Sequence, residues 1–211
     1  MIIPYHTCRM IRLTLENGVC QDAICGLIQH AAFLCQPWFA VPADVEEACR
    51  VGKAAMTLFE RFDSSEIIPE VFYCYYGFVA VNKEPLQLCT DHLRKGFEVG
   101  VSAGDATIAC YNSIHLIRTA LLGGEELSSL LKEADYHLEV LTSFRIKLSM
   151  PYINAYRETI STLIDKGQST SPQTTESKTV IPSYEAEPNA SNTVYAQRHN
   201  ETLYSNKVLQ S

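Results

Sequence analysis

The sequence predicts an all-α protein: an α-solenoid-like stack of antiparallel helix pairs over residues 1–166, then a low-complexity tail over 167–211. Three observations lead there. Apolar residues recur at helical spacing through most of the chain before Gly167. The three clearest helices begin roughly 40 residues apart, a period found in helical-repeat proteins. Each interval between them also holds a second apolar segment, so that helices alternate in pairs.

In chain order, CQDAICGLIQHAAFLC places Ile24, Ile28, Ala31 and Cys35 on one face before Pro37 stops the run. ADVEEACRVGKAAMTLFERF follows, with Val45, Ala48, Gly52, Ala55, Phe59 and Phe62 on one stripe, and Asp44 and Glu47 as a capping-box variant. EPLQLCTDHLRKGFEVG has Leu86, Cys89, Leu93 and Phe97 in register, with Pro85 where a first turn tolerates it. ATIACYNSIHLIRTALL aligns Cys110, Ile114, Ile117 and Leu121. Gly123 and Gly124 then break the chain, and Leu127, Leu130, Leu131, Ala134, Leu138, Leu141 and Phe144 share the next face. Glu125 and Glu126 precede it, at the positive end of the helix dipole. In SMPYINAYRETISTLIDKG, Ser149 caps, Pro151 sits in the first turn, Ile153, Tyr156, Ile160 and Leu163 face inward, and Gly167 ends the helix.

The stretch VFYCYYGFVAV (71–81) is ambiguous by itself, because periodicity does not separate a short buried helix from a buried strand. As a strand it would be apolar on both faces and would need parallel neighbours with crossover connections. The other strand-like run, IRLTLE (11–16), is short and carries helix formers, so no sheet can be assembled. The stretch therefore reads as a helix from near Pro69 to near Asn82, covered on all sides by its neighbours. Gly77, unfavourable in an isolated helix, becomes a place where a neighbouring helix can come close.

The chain's 24 acidic and 17 basic residues give a formal charge of −7, which argues against a nucleic-acid partner. No run reaches the roughly 18–20 apolar residues of a membrane span. The N-terminal MIIPYHTCRMIR interrupts any signal-peptide core with Pro, His and Arg, so the expected location is cytoplasmic. The eight cysteines (8, 20, 25, 35, 49, 74, 89 and 110) are widely spread without CxxC or zinc spacing, and read as reduced structural thiols. After Gly167 the chain turns rich in Ser, Thr, Asn and Pro, a composition expected to stay disordered.

From VGKAAMTLFERF to GVSAGDATIACYN the chain resembles the helical-repeat region of large predicted signalling ATPases. In that family an origin-recognition-type AAA (STAND-type) module precedes a TPR-like array, often beside kinase or cyclase domains. The likeness rests on a G-K-A … L-x-x-R-F helix, an aromatic Y-G-F-V helix, E-P-L opening the next, and G-x-x-x-G … G-D. It covers roughly residues 9–166. It implies a TPR-like fold and a role in protein–protein interaction and signal transduction. The phosphate-cradling G-x-x-x-x-G-K-[ST] of the ATPase is missing. The nearest string, Gly52-Lys53-Ala54, has no upstream glycine and no hydroxyl for magnesium. The resemblance thus implies the repeat region without its ATPase: a fragment, a truncated gene model or a free-standing paralogue.

No H-E-x-x-H or G-x-S-x-G spacing supports a zinc hydrolase or a serine hydrolase. The expectation is a non-enzyme with no catalytic residue, cofactor or metal, and with a protein or peptide partner. One stripe invites contact with that partner: Tyr111, His115 and Arg118 fall on one helix face, and Tyr73 and Tyr76 on the preceding inner helix join them. The plainer reading of all five is packing between helices. A phosphotyrosine adaptor built on Tyr184, Tyr195 and Tyr204 is an alternative, as is an enzyme whose site is assembled from scattered residues. Asn189 and Asn200 match the glycosylation pattern by chance.

Overall fold

A computed structural model describes residues 2–36, 44–62, 65–146 and 150–169. Among these the chain is all-α, with eight α-helices and no strand. They are α1 (Ile2–Asn17), α2 (Gln21–Leu34), α3 (Val45–Arg61), α4 (Ile68–Cys74), α5 (Leu86–Ser102), α6 (Ala106–Leu122), α7 (Leu127–Ser143) and α8 (Met150–Ser169). The tail tyrosines 184, 195 and 204, and Ser149, lie outside the described residues.

Caps chosen by the sequence fix the helix ends. Asp44 accepts a hydrogen bond from the Glu47 amide at 2.9 Å, and Asp105 does the same for Ile108 at 3.1 Å. Each satisfies one donor that the first turn leaves unpaired. Glu47 does not complete a capping box, since its carboxylate holds Arg50 instead. At the other ends, Gly104 and Gly124 take positive φ (75° and 73°), and the amides beyond them bond back to Gly100 and Ala120. These paired bonds are Schellman closures, and they fold α6 back on α5 and α7 back on α6. The same closure at α7 uses Arg145 at φ 58°. An L side chain is strained there, so Arg145→Gly is expected to stabilise the fold by about 0.5–1 kcal/mol. A lower unfolding midpoint for that variant would contradict the assignment.

The most extensive interfaces join α5 with α6, α2 with α3 and α7 with α8. Alternate helices also meet in series, α2 with α4, α4 with α6 and α6 with α8. Around the first half, Ile24, Ile28, Ala48, Val71, Val79, Leu93 and Leu116 form one core. Around the second, Ile117, Leu130, Ala134 and Ile160 form another. Gly96 and Gly100, one turn apart on α5, let α6 approach, because a Cβ at Gly100 would lie 3.1 Å from Ala109. Arg94 adds a two-pronged bond to Glu133 at 2.6 and 3.0 Å, tying α5 to α7.

Several expectations are corrected in detail. IRLTLE, read as too short for a sheet, is indeed helical within α1, which is held by Met10 against Gly26 and by Thr7 bonded to Gln29; the differences lie elsewhere. Phe144 and Leu163 share the predicted stripes but are 40% and 43% exposed; Phe144 closes its helix, and Leu163 lies in the last turns of α8. Helix α8 continues through Gly167 to Ser169, since one glycine costs only about 1 kcal/mol in a helix. Pro85 is the N-cap of α5 rather than part of its first turn. All eight cysteines are free thiols, five of them buried.

Candidate functional site

The aromatic run 71–81 is helical, with a local change of pitch. After α4 the chain widens into a π turn at Tyr75–Val79, where the Ala80 amide reaches Tyr75, and then tightens into a 3₁₀ turn at Ala80–Asn82. Such a change of ladder leaves backbone groups without their usual partners. Here the Gly77 carbonyl accepts a hydrogen bond from Arg118 Nη2 at 2.7 Å. The absence of a side chain at Gly77 admits α6, since a Cβ would stand 3.0 Å from the His115 ring.

Around this turn the structure gathers four of the five groove residues proposed from sequence. Tyr73 stacks on Tyr111 with centroids 5.2 Å apart, and meets His115 edge-on at the same separation. Phe78 closes the other side of His115 at 4.5 Å. Tyr73, Tyr111 and Arg118 are half-buried, whereas His115 is buried. Its Nδ1 faces the Gly77 backbone without a hydrogen bond of good geometry. Burial, reinforced by Arg118, pushes its pKa down to about 3, so the imidazole is neutral. Tyr76 does not join the group: it is buried and stacks flat on His92 at 4.0 Å. Tyr156 of α8, absent from the sequence reading of the groove, is close enough to Arg118 to act on its charge.

A second polar constellation lies inside the bundle. Ser113 Oγ is 2.7 Å from His137 Nδ1, and His137 stacks on Phe97 at 3.8 Å. Both polar residues are buried. The pair resembles a nucleophile and its base, but its seal from solvent makes it a hydrogen-bonded joint between α6 and α7. Burial lowers the His137 pKa to about 4. Asn112, also buried, donates to the Pro69 and Ile108 carbonyls at 2.8 and 3.0 Å and so locks α6 to the start of α4.

The string nearest a phosphate loop serves packing as well. Gly52 is buried against Tyr75, and Lys53 pairs with Glu84 at 3.2 Å. Glu46 and Glu47 occupy the first turn of α3 and pair with Lys83 and Arg50. Glu126 caps α7 and accepts from Ser128 and Ser129, while Glu125 reaches Gln87 at 2.8 Å. An open depression between α3 and Lys83 is lined by Cys49 and by the charged Asp44, Glu46, Glu47, Arg50 and Lys53. Among the described residues no group of three or more His, Cys, Asp or Glu converges to hold a metal ion, and no helix is long and apolar enough to cross a membrane.

No protein-family model, curated protein or solved structure matches the chain.

Proposed function

We propose that the chain is a non-catalytic, TPR-like interaction module, related to the repeat region of a multidomain signalling ATPase, that holds a protein or peptide partner along its inner helices. One observation carries this reading: half-buried Tyr73, Tyr111, Arg118 and Tyr156 come from α4, α6 and α8, the helices that meet in series, with Tyr73 stacked on Tyr111 and both Tyr73 and Tyr156 close enough to act on Arg118. Aromatic residues beside an arginine give large contact area at low entropic cost, the composition that dominates binding energy at protein interfaces. The resemblance of the sequence to a signalling array adds to it.

The test is a photo-cross-linking residue placed at Tyr111, compared with the same residue at the exposed Lys132 of α7. In extracts, the probe at 111 is expected to give a discrete protein adduct that Arg118→Ala removes while leaving the helical melt in place. Equal labelling from both positions, or an adduct indifferent to Arg118, overturns the reading.

A further inference from the structure

The last core of the bundle is open at one end. Ile117 and Ala120 of α6, Leu130 and Ala134 of α7 and Ile160 of α8 form that core, and half-buried Leu121, Leu131 and Ile164 pack around it. Beyond them Leu122 is 72% exposed and Leu163 43%. Helical phase places Leu163. Arg157 turns to α7, where it bonds Asp135, and Ile160 enters the core. Each step of three residues moves about 60° round the helix in one direction. Leu163 therefore lies past Ile160, on the flank of α8 turned to α6 rather than to α7. Leu122 is the last residue of α6, which runs parallel to α8 because α7 returns between them. Single exposed leucines are ordinary on a protein surface. These two stand at the same end of two helices in contact, and no described helix follows α8 to cover them.

The chain beyond α8 carries a segment that matches. Residues 165–179 hold no large apolar side chain, and then Val180, Ile181 and Tyr184 come together in Val-Ile-Pro-Ser-Tyr. Pro182 favours extended backbone at Ile181, which suits a short strip laid on a surface. From Ser169 to Val180 a linker of about eleven residues reaches about 36–40 Å when extended and about 17–20 Å on average. The target is nearer than that. Leu163 lies about 9 Å back along α8, and α6 is one helix spacing of about 8–10 Å away. A linker whose average length is close to the span gives an effective concentration of about 1 mM. A contact too weak to hold a separate peptide at micromolar concentration is thus occupied when the peptide is tethered here. That advantage belongs to this segment and to no partner arriving from solution.

We propose that residues 180–184 of this chain dock on the apolar end formed by Leu121, Leu122 and Leu163. There they act as the cap that the last unit of a helical stack requires over its unpaired face. The inference goes beyond the interaction-module reading and does not depend on it.

The experiment places a benzophenone side chain at position 163 of the full chain and irradiates the purified protein. The same probe at Thr57, exposed on α3, is the control. The expected product is an intramolecular adduct whose peptide masses map it to residues 179–184. Its yield is expected to stay constant on tenfold dilution. The triple variant Val180→Ser/Ile181→Ser/Tyr184→Ser is expected to lower it about tenfold, since burial of one large apolar side chain is already enough for that factor. These substitutions lie outside α1–α8, so a lost adduct reads docking rather than folding. An adduct joining two chains, with a yield that falls on dilution, gives the surface to a second copy and overturns the proposal. Adducts spread evenly over residues 170–211, equal capture from position 57, or no adduct at all overturn it as well. None of these outcomes alters the cross-link expected from position 111 to a partner, which tests the interaction module separately.

Discussion

Replacing Gly96 by alanine is expected to destabilise the fold by about 2–3 kcal/mol, the cost of overpacking a tight core. The added Cβ would stand 2.8 Å from Asn112 Cγ and closer still to Oδ1. A flexible side chain would swing away, but Asn112 is pinned. It is fully buried, and its Nδ2 donates to two carbonyls on different helices. Those two bonds also fix the amide's orientation, leaving Oδ1 against Gly96 with no hydrogen bond to lose. Alanine's better helix propensity returns about 1 kcal/mol at most, so the clash decides the sign. A fall in Tm of about 5–10 °C is expected for a chain of this size. The double variant Gly96→Ala/Asn112→Ala separates the cause: if the clash with Asn112 dominates, the two changes couple by about 1 kcal/mol or more. An unchanged or raised Tm in Gly96→Ala would mean that α5 and α6 do not approach here.

That contact marks a limit of what the sequence makes legible. Asp44 with Glu47 announces a helix start, because it is a local pattern with one dominant physical cause, whereas the close approach at Gly96 and Gly100 appears only once α6 is in place. Leu93, Phe97, Leu130, Leu141, Ile153 and Ile160 are buried as their periodicity predicts. The aromatic run 71–81 is legible as a helix through the absence of strands to pair with it. Its π turn is not, because the pitch is tied to contacts more than 35 residues away, where Arg118 takes the Gly77 carbonyl and His115 fills the space above it. The polar core escapes for the same reason. Ser113, His137 and Asn112 look like surface residues until the packing supplies their partners. The shared face of Tyr111, His115 and Arg118 is legible on α6 alone. Helical phase along 71–81 does not reveal that Tyr73, at the end of α4, stacks on Tyr111 while Tyr76, in the π turn, stacks on His92.

The same buried imidazoles predict a steep loss of stability in mild acid. In the unfolded chain a histidine titrates near pH 6.5. In the fold, His137 is held to about 4, chiefly by burial and secondarily by Arg94 against an opposing Glu133. His115 is held to about 3 by burial and Arg118. The unfolded state therefore binds more protons than the folded state between pH 6.5 and the folded values, and stability falls as pH falls through that window. Above about pH 6.5 the full contribution is present. Each proton costs about 1.4 kcal/mol per pH unit, so the pair gives a slope near 2.7 kcal/mol per unit between about pH 6 and 4. His92, half-buried against Tyr76, is shifted the same way and adds a smaller share. Summed over the window this removes about 4 kcal/mol by pH 5 and about 6 kcal/mol by pH 4, a large part of a typical stability of about 5–15 kcal/mol. Glu46, Glu47 and Glu126, whose pKa values are lowered by hydrogen bonds, act only in a lower window. Denaturant titrations from pH 8 to 4 measure the slope. His115→Phe keeps a ring against Gly77, and His137→Gln keeps an acceptor for Ser113, yet neither can titrate. Each is expected to remove about half of the slope, whereas a stability that stays level from pH 8 to 5 would place both histidines in contact with water.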